Sequence, residues 1–250
     1  MKSQNHDARS SAVARAGEVV LAHVDPALGT EAGAELARLW NEAMARHPEA
    51  PATDGRWQDA LIEREIPRGA SVLDLGCGSG ELLERLIRER GVRGQGIELD
   101  AGQVMSCVAR GVPVFQSDLD AGLSGFPNHR FDFVVLEETL QTLHKPLDML
   151  AEMLRVGRTC IVSFPNFGHW RVRLALSLHG RMPVTPRLPH RWHNTPNIHL
   201  CTLDDFMDWA RESRVHVRQG YAFADGAARP LADHDNLHAE EVLLFLAPGA

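Results

Sequence analysis

The sequence feature that most constrains the fold is the stretch of residues 71–100, SVLDLGCGSGELLERLIRERGVRGQGIELD. A short apolar run is followed by glycines at alternate positions and then by a leucine-rich pattern with helical spacing. A second short strand pattern, residues 95–99, follows and ends in Glu98 and Asp100. This order predicts one βαβ unit, in which a strand leads through a tight glycine loop into a helix and then into a parallel strand.

The two parallel strands of such a unit end at the same edge, so we expect the glycine loop to lie beside Glu98. A carboxylate about 20 residues beyond the loop is placed to accept hydrogen bonds from both hydroxyls of a ribose. The loop is G-x-G-x-G, preceded by Asp74, and it differs from the G-x-G-x-x-G pattern that binds a pyrophosphate. The pattern therefore favours a nucleoside without phosphates, the alternative being a glycine-rich turn in an ordinary α/β protein.

Length and composition limit the number of domains and the classes of partner that this chain can have. The chain has 250 residues, 44% of them hydrophobic, which allows one large domain or one domain with an appendage. With 26 basic against 33 acidic residues the formal charge is -7, which disfavours nucleic acid as a partner. The four cysteines form no C-x-x-C pair, and neither a membrane-length apolar run nor a signal peptide is apparent, so we expect a cytoplasmic protein.

The first 55 residues form a candidate N-terminal extension, which we expect to be partly disordered. Within it, residues 31–47 repeat apolar side chains at helical spacing and predict one amphipathic helix. That helix either packs on the main domain or serves as a docking arm for a partner. The main domain is expected to cover residues 56–250.

Beyond residue 100, apolar runs and helical patterns alternate. Runs at residues 114–116, 131–136 and 160–164 predict three further strands, with a helix over residues 147–156. This alternation predicts a doubly wound, mostly parallel α/β sheet with ligands at the carboxyl ends of its strands. The last two strand candidates, residues 215–217 and 242–246, are separated by a segment that reads as a loop, so we expect them to pair as a hairpin that adds one antiparallel strand.

The segment of residues 165–201 is rich in aromatic, histidine, arginine and proline residues, and it is expected to be a long structured insertion over the strand ends. Its arginines could form an anion pocket or a docking face for an acidic partner, or could simply be solvated. Its histidines match no metal-binding spacing, so no metal site is predicted. These histidines are His169, His179, His190, His193 and His199.

The run VLDLGCGSG followed by GIELD resembles the S-adenosylmethionine site of class I methyltransferases. The resemblance implies a Rossmann-like, seven-stranded sheet that binds S-adenosylmethionine or S-adenosylhomocysteine. It implies that the glycine loop lies under the amino-acid part of the cofactor, that Glu98 holds the ribose, and that Asp118 and Leu119 contact the adenine. For Asp118, a turn or capping role is the alternative. The implied cofactor residues are Asp74, Gly76, Cys77, Gly78, Gly80, Glu98, Leu99, Asp118 and Leu119.

A narrower resemblance is to the MetW family of methionine-biosynthesis proteins, over about residues 57–246. FPNFGHW and TPNIHLCT carry most of its specificity, supported by DLDAGLSGF, TLQTL, MLRVGR and GRMPV. Two features depart from the family pattern: the N-terminal extension, and Ser79 where an acidic residue is expected in the glycine loop.

The family resemblance implies a protein that acts with homoserine O-acyltransferase in methionine synthesis, as an activating or regulatory partner. An S-adenosylmethionine-dependent methyltransferase acting on a small molecule is the main alternative, and an NAD-linked dehydrogenase ranks lower because of the loop pattern. No catalytic residue is identified. The candidate residues for contact with an acceptor molecule or a partner are Glu137, Gln141, Asn166, His169 and Trp170.

Overall fold

The computed structural model describes Arg38 and residues 56–249, without the side chains of Leu178 and His179. The candidate extension and its expected amphipathic helix therefore lie outside the described residues, apart from Arg38.

The described residues form one mixed sheet of eight strands in the order β3-β2-β1-β4-β5-β8-β6-β7. The first five strands along the chain are parallel, β8 lies antiparallel between β5 and β6, and β7 is an antiparallel edge strand beside β6. The strands are β1 Ser71–Leu75, β2 Arg93–Glu98, β3 Val114–Gln116, β4 Phe131–Glu137, β5 Gly157–Pro165, β6 Val215–Ala224, β7 Ala227–Pro230 and β8 Glu241–Pro248.

Helices lie between the strands and after the glycine loop. Helix α2 buries Leu82, Leu83 and Leu86, which share one face at helical spacing, and it ends at Gly91 in the left-handed conformation that a helix C-terminus favours. The α-helices are α1 Trp57–Glu65, α2 Glu81–Arg90, α3 Ala101–Ala109, α4 Pro146–Val156, α5 Trp170–His179, α6 Leu203–Glu212 and α7 Asp235–His238, and Leu119–Ala121 and Leu140–Thr142 are 3-10 turns. No described helix combines the length and the apolar character that a membrane span requires.

Two buried clusters cover the two faces of the sheet. On one face Ile62 of α1 and Leu83 of α2 join Val72 and Val135 of the central strands. On the other, Met153 of α4 and Phe206 of α6 pack with Leu73, Leu136 and Val162. Because both faces are covered, the central strands are apolar in continuous runs, which is the pattern expected of a doubly wound sheet.

The doubly wound, mostly parallel α/β fold is confirmed, with three corrections. The sheet has eight strands and not seven, because residues 227–230 pair with β6. The segment before β8, expected to be only a loop, contains β7 and the short helix α7. The insertion, expected to be a loop, contains helix α5. Three successive residues of this helix, Trp170, Arg171 and Val172, are buried, so its sequence shows no clear helical spacing of apolar residues.

The strand order reverses between β1 and β4, whose connections lead to opposite sides of the sheet. In open parallel sheets the carboxyl ends of the strands leave a crevice at this point, and ligands bind there. The glycine loop after β1 lies at this crevice.

Candidate functional site

The glycine loop is tightly packed against its surroundings. Gly76, Gly78 and Gly80 all have positive φ, at 71°, 54° and 80°. A Cβ atom on Gly76 would lie 2.8 Å from Thr139 Oγ1, and one on Gly80 would lie 2.9 Å from Cys107 Sγ. Glycine is therefore required at both positions by backbone conformation and by space, and the exposed backbone can approach a ligand closely.

Glu98 lies beside this loop, as the βαβ geometry predicts. Its Oε2 accepts a hydrogen bond from Gly78 N at 2.9 Å, and its Oε1 accepts from Leu99 N and Asp100 N at 2.8 and 2.9 Å. A carboxylate has about four lone-pair positions, so three N–H donors leave roughly one free. A hydroxyl group of a ligand would have to use that position or displace the Gly78 N–H.

Strands β2 and β3 are parallel neighbours, and a backbone hydrogen bond joins their carboxyl ends. Asp118 therefore lies at the same edge of the sheet as Glu98. Ser117 N donates to the Glu98 carbonyl at 3.1 Å. Asp118 caps the 3-10 turn Leu119–Ala121 through a 2.9 Å bond from Asp120 N to its Oδ1. The turn role that the sequence left open for Asp118 is thus present. Leu119 is buried in the core, whereas the Leu99 side chain is 62% exposed at the edge.

Cys77 contributes to packing through its side chain. Its Sγ lies 3.8 Å from Cys107 Sγ, and a Cβ on Gly96 would collide with it. Burial raises the pKa of the Cys77 thiol, so it is held in its protonated, poorly nucleophilic form. Only its backbone is available to a ligand over the loop.

Two carboxyl groups are buried beneath the loop. Asp74, near the end of β1, is 2% exposed, and burial raises its pKa to about 7 against the opposing effect of Arg56. Glu137, at the end of β4, is also buried, and burial raises its pKa well above its usual value. Arg56 Nη2 lies 3.5 Å from Glu137 Oε2, and Arg56 Nε lies 3.5 Å from Asp59 Oδ1. Among the described residues, the partly exposed guanidinium of Arg56 is thus the cation nearest to the buried carboxyl groups of Asp74 and Glu137.

Several buried oxygens at this edge accept no hydrogen bond from the described residues. They are both carboxylate oxygens of Glu137, Asp59 Oδ1 and the side-chain carbonyl oxygens of Gln58 and Gln141. The adjoining residue Glu138 has a positive φ of 49°, and its carboxylate accepts from Gln58 Nε2 at 2.9 Å. Unpaired buried acceptors and a strained non-glycine residue are characteristic of functional sites, where a ligand's donors complete the bonding.

Asn166 has a structural role that its sequence position did not reveal. Its Nδ2 donates to the carbonyls of Asn236 and Ala239 at 3.0 and 2.9 Å, and its Oδ1 accepts from Gly168 N and Leu203 N at 2.9 and 3.0 Å. These bonds use both donors and both acceptor positions of the amide. No capacity remains for an acceptor molecule, so we interpret Asn166 as a joint between loops.

His169 and Trp170 lie at the start of α5 and are both buried. His169 lines a small cavity with Thr185, Arg187 and Glu240, under the insertion. Gln141 instead lies in the 3-10 turn after β4, next to Glu137. Asn166 lines this same cavity, so the candidate acceptor residues are divided between the strand edge, with Glu137 and Gln141, and the cavity region, with Asn166, His169 and the adjoining Trp170.

A metal centre has no support in the part of the chain that the structure describes. No group of three or more His, Cys, Asp or Glu residues is arranged there to hold an ion.

The site includes residues that the sequence pattern did not single out. Arg56 and Gln58 come from the start of α1, and Glu241 opens β8, where Arg187 lies 3.5 Å from its carboxylate and burial raises its pKa to about 7. The available signal for Glu241 was a charged residue opening an apolar strand, and for Arg56 it was a cation directly before an amphipathic helix.

Comparison with known proteins decides the family. A family model described as methionine biosynthesis protein MetW matches residues 56–246. The chain belongs to the MetW family. The matched region contains the glycine loop, the buried carboxyl groups at the strand edge and the insertion.

A relative from Rhodopirellula baltica, described as bifunctional methionine biosynthesis protein MetXA/MetW, is 35% identical over 211 residues. The match covers 79% of this chain and 34% of that protein. The chain therefore spans about a third of the relative's length, and the name of the longer protein combines MetXA with MetW.

Solved structures share the fold at low identity. An S-adenosylmethionine-dependent methyltransferase from Thermotoga maritima, a possible histamine N-methyltransferase, has a TM-score of 0.56 at 14% identity, covering 85% of this chain and 96% of that one. The [4+2]-cyclase SpnF has a TM-score of 0.55 at 17% identity, covering 86% and 94%. At these identities the likeness shows the class I methyltransferase fold alone, and the cyclase illustrates that the fold does not dictate one reaction.

Proposed function

We propose that this chain is a cytoplasmic protein of methionine biosynthesis that binds S-adenosylmethionine or S-adenosylhomocysteine and acts with homoserine O-acyltransferase as an activating or regulatory partner. Residues 56–250 would form the binding domain and residues 1–55 an extension. Membership of the MetW family supports the pathway, and the geometry of the strand edge supports the ligand.

The observation that carries the cofactor proposal is the contact between the Glu98 carboxylate and the glycine loop, through Gly78 N. Glu98 would hold the ribose, the backbone of the loop from Gly76 to Gly80, including Cys77, would support the methionine part, and Leu99, Asp118 and Leu119 would surround the adenine. The side-chain-free surface at Gly76 and the acid beside it fit a nucleoside without phosphates.

The amino-acid end of the cofactor fits the buried polar groups next to the loop. A free amino acid carries a carboxylate and an ammonium group, and the partly exposed Arg56 guanidinium could pair with the carboxylate. The Glu137 oxygens, which accept no hydrogen bond from the described residues, could accept from the ammonium, while Asp74 lies beneath the loop. These assignments rest on the unsatisfied buried oxygens, which a ligand with N–H donors would satisfy.

The acyltransferase partnership is supported by the Rhodopirellula baltica relative, whose name combines MetXA with MetW in one protein. Two functions that occur in one polypeptide in one organism are candidates for association as separate chains in another. S-adenosylmethionine is made from methionine, so a subunit that binds it can report the pathway's product to an early enzyme.

The direct test uses purified protein and purified homoserine O-acyltransferase from the same organism. We expect the two to form a complex, the acyltransferase rate to change when this protein is added, and S-adenosylmethionine to modify that change. The absence of both a complex and any rate change would contradict the proposed partnership.

A second candidate function is a small-molecule methyltransferase, which the unpaired oxygens of Glu137 and Gln141 favour because they could orient an acceptor. Methyl transfer from a sulfonium can be accelerated by positioning alone, so no catalytic base is required. Formation of S-adenosylhomocysteine with a panel of metabolites tests this function, and its consistent absence would count against it.

An NAD-linked dehydrogenase is tested by protection against thermal unfolding. We expect S-adenosylhomocysteine, and not NADH, to raise the midpoint temperature of unfolding.

A further inference from the structure

The insertion exposes large apolar side chains that are unusual on a protein surface. Trp192 is 77% exposed, Leu200 55%, Val184 54% and Ile198 51%, and Met182 is also exposed. We call these five residues, together with Arg181 and Arg191, the insertion surface. Contiguous exposed apolar residues are characteristic of interaction sites.

Three of the five exposed apolar residues lie together in one groove. Met182, Trp192 and Leu200 line one groove with Phe167 and Leu188, and Arg191 lies on its rim. Trp192 is also packed edge-on against the ring of His193, at 5.5 Å between centroids. An aromatic side chain projecting at the edge of an apolar groove is the kind of residue that contributes most binding energy in protein interfaces.

The charge of this region is one-sided. Residues 165–203 contain five arginines and no aspartate or glutamate, in a chain whose formal charge is -7. Arg181 and Arg191 are exposed and make no ion pair with another described residue. A surface that complements this region therefore needs apolar side chains surrounded by carboxylates. A second copy of this chain fits poorly, because a two-fold contact would bring like charges together.

The insertion surface is held in place by hydrogen bonds. Thr185 and Leu188 exchange backbone bonds of 3.0 and 3.1 Å, Arg191 N donates to Asn194 Oδ1 at 2.8 Å, and Phe167 N donates to the Cys201 carbonyl at 3.0 Å. Little ordering would be needed when a partner binds, and preorganised surfaces bind more tightly for the same area.

The insertion surface is also connected to the cofactor edge. Ile198 N and His199 N both donate to the carbonyl of Gln141, at 2.9 and 3.0 Å. Gln141 belongs to the 3-10 turn that follows Thr139, and Thr139 is the residue that presses on Gly76 of the glycine loop. A partner bound at the insertion surface would thus contact a segment that is hydrogen-bonded to the turn beside the candidate cofactor loop.

We propose that the insertion surface is the docking site for homoserine O-acyltransferase, which would present an apolar patch surrounded by carboxylates. The proposal rests on the partnership proposed above and adds its location on this chain. Apolar contact at Trp192 and Leu200 would provide most of the affinity, and Arg181 and Arg191 would provide orientation and a salt-dependent association rate.

The apolar part is tested with Trp192→Asp and Leu200→Asp, each compared with the control Met105→Asp. Met105 is 66% exposed on α3, next to the edge strand β3, so the control adds the same charge at an exposed apolar residue elsewhere. Binding to purified acyltransferase is measured by calorimetry. We expect the two insertion variants to bind at least about tenfold more weakly and the control to bind like the unmodified protein.

The charged part is tested with the double variant Arg181→Glu with Arg191→Glu, compared with the exposed control Arg218→Glu on β6. We expect a slower association for the double variant and a smaller dependence of its affinity on salt. An unchanged affinity for S-adenosylhomocysteine would show that each variant is folded.

The outcomes separate the two proposals. A complex that forms with the unmodified protein and is equally tight with the insertion variants overturns the docking site and leaves the partnership intact. If the unmodified protein forms no complex, the proposed partnership itself fails. A self-association that only the insertion variants abolish would assign the surface to a second copy and overturn the acyltransferase as its occupant.

Discussion

The three glycines of the loop after β1 differ in what surrounds them, which gives a sharp test of the packing. Gly76 and Gly78 both have positive φ, but a Cβ on Gly76 would meet Thr139 Oγ1 at 2.8 Å, whereas one on Gly78 would meet nothing within 4 Å. Gly78→Ala should lose about 1–2 kcal/mol of unfolding free energy for the backbone conformation alone. Gly76→Ala should lose about 1–3 kcal/mol more because of the collision. Urea unfolding measures both, and equal losses would contradict the packing described.

Glu98 is the residue on which the ribose assignment depends. If it holds ribose hydroxyls, Glu98→Ala should weaken binding of S-adenosylhomocysteine by a few kcal/mol, because each hydrogen bond to a charged group contributes about 1.5–3 kcal/mol. Glu81→Ala is the matched control, since Glu81 follows the same loop at the first position of α2. Calorimetry measures both dissociation constants, and an unchanged value for Glu98→Ala would refute the assignment.

Asp74 should make stability depend on pH. Its carboxyl is surrounded by Arg56, Asp59 and Glu98, and burial raises its pKa to about 7. A buried acid with a raised pKa stabilises the fold when protonated, so its contribution is complete below about pH 4 and is lost as the pH rises to about 7. Asp74→Asn removes this titration.

The stability of Asp74→Asn relative to the unmodified protein should therefore increase between about pH 4 and pH 7 and stay constant above. Denaturant unfolding at several pH values measures this difference. A relative stability independent of pH would mean that Asp74 has an ordinary pKa in the folded protein.

At the scale of elements, Asn166 joins the end of β5 to α6 and to the segment around α7. Replacing it with alanine removes five hydrogen bonds and leaves buried backbone groups unpaired, each costing about 1–3 kcal/mol. Asn166→Ala should lower the unfolding free energy by at least about 2 kcal/mol, whereas the exposed Asn128→Ala should change it little. Similar urea midpoints for the two variants would show that the joint is unimportant.

The elements that could be predicted from sequence were those with one dominant period or a continuous apolar run. Strands β1, β2, β4 and β5 and helices α2 and α4 fall in this class, because each is buried on at least one face. Strand β3 is short and largely exposed, and only its place in the alternation of strands and helices predicted it. Helix α5, which lies within the insertion, was missed because the successive residues Trp170, Arg171 and Val172 are all buried, so its apolar residues do not recur at helical spacing. Strand β7 was missed because it is a short, mostly exposed edge strand of four residues.

The candidate site was predictable only where neighbours in space are close in sequence. The loop and Glu98 belong to one βαβ unit, so their contact follows from local geometry. Arg56, Gln58 and Glu241 reach the same edge from α1 and β8, at positions that only the complete sheet defines. Asn166 was named as a candidate for contact with an acceptor molecule or a partner, and its hydrogen bonds to residues distant in sequence, which only the fold defines, show a structural role.

At the scale of the whole molecule, the candidate cofactor edge and the insertion surface are both in contact with the segment of residues 139–142, through Gly76 at one end and Ile198 at the other. If the acyltransferase and S-adenosylmethionine both bind, and if they influence each other through this segment, the effect must be reciprocal. The cofactor would change the affinity for the enzyme by the same factor by which the enzyme changes the affinity for the cofactor.

The most direct test of the account is a parallel calorimetric titration of the purified protein with S-adenosylmethionine, S-adenosylhomocysteine and NAD. The account predicts that both S-adenosyl compounds bind with one site per chain and that NAD gives no binding heat. Binding of NAD alone, or of none of the three, would contradict it.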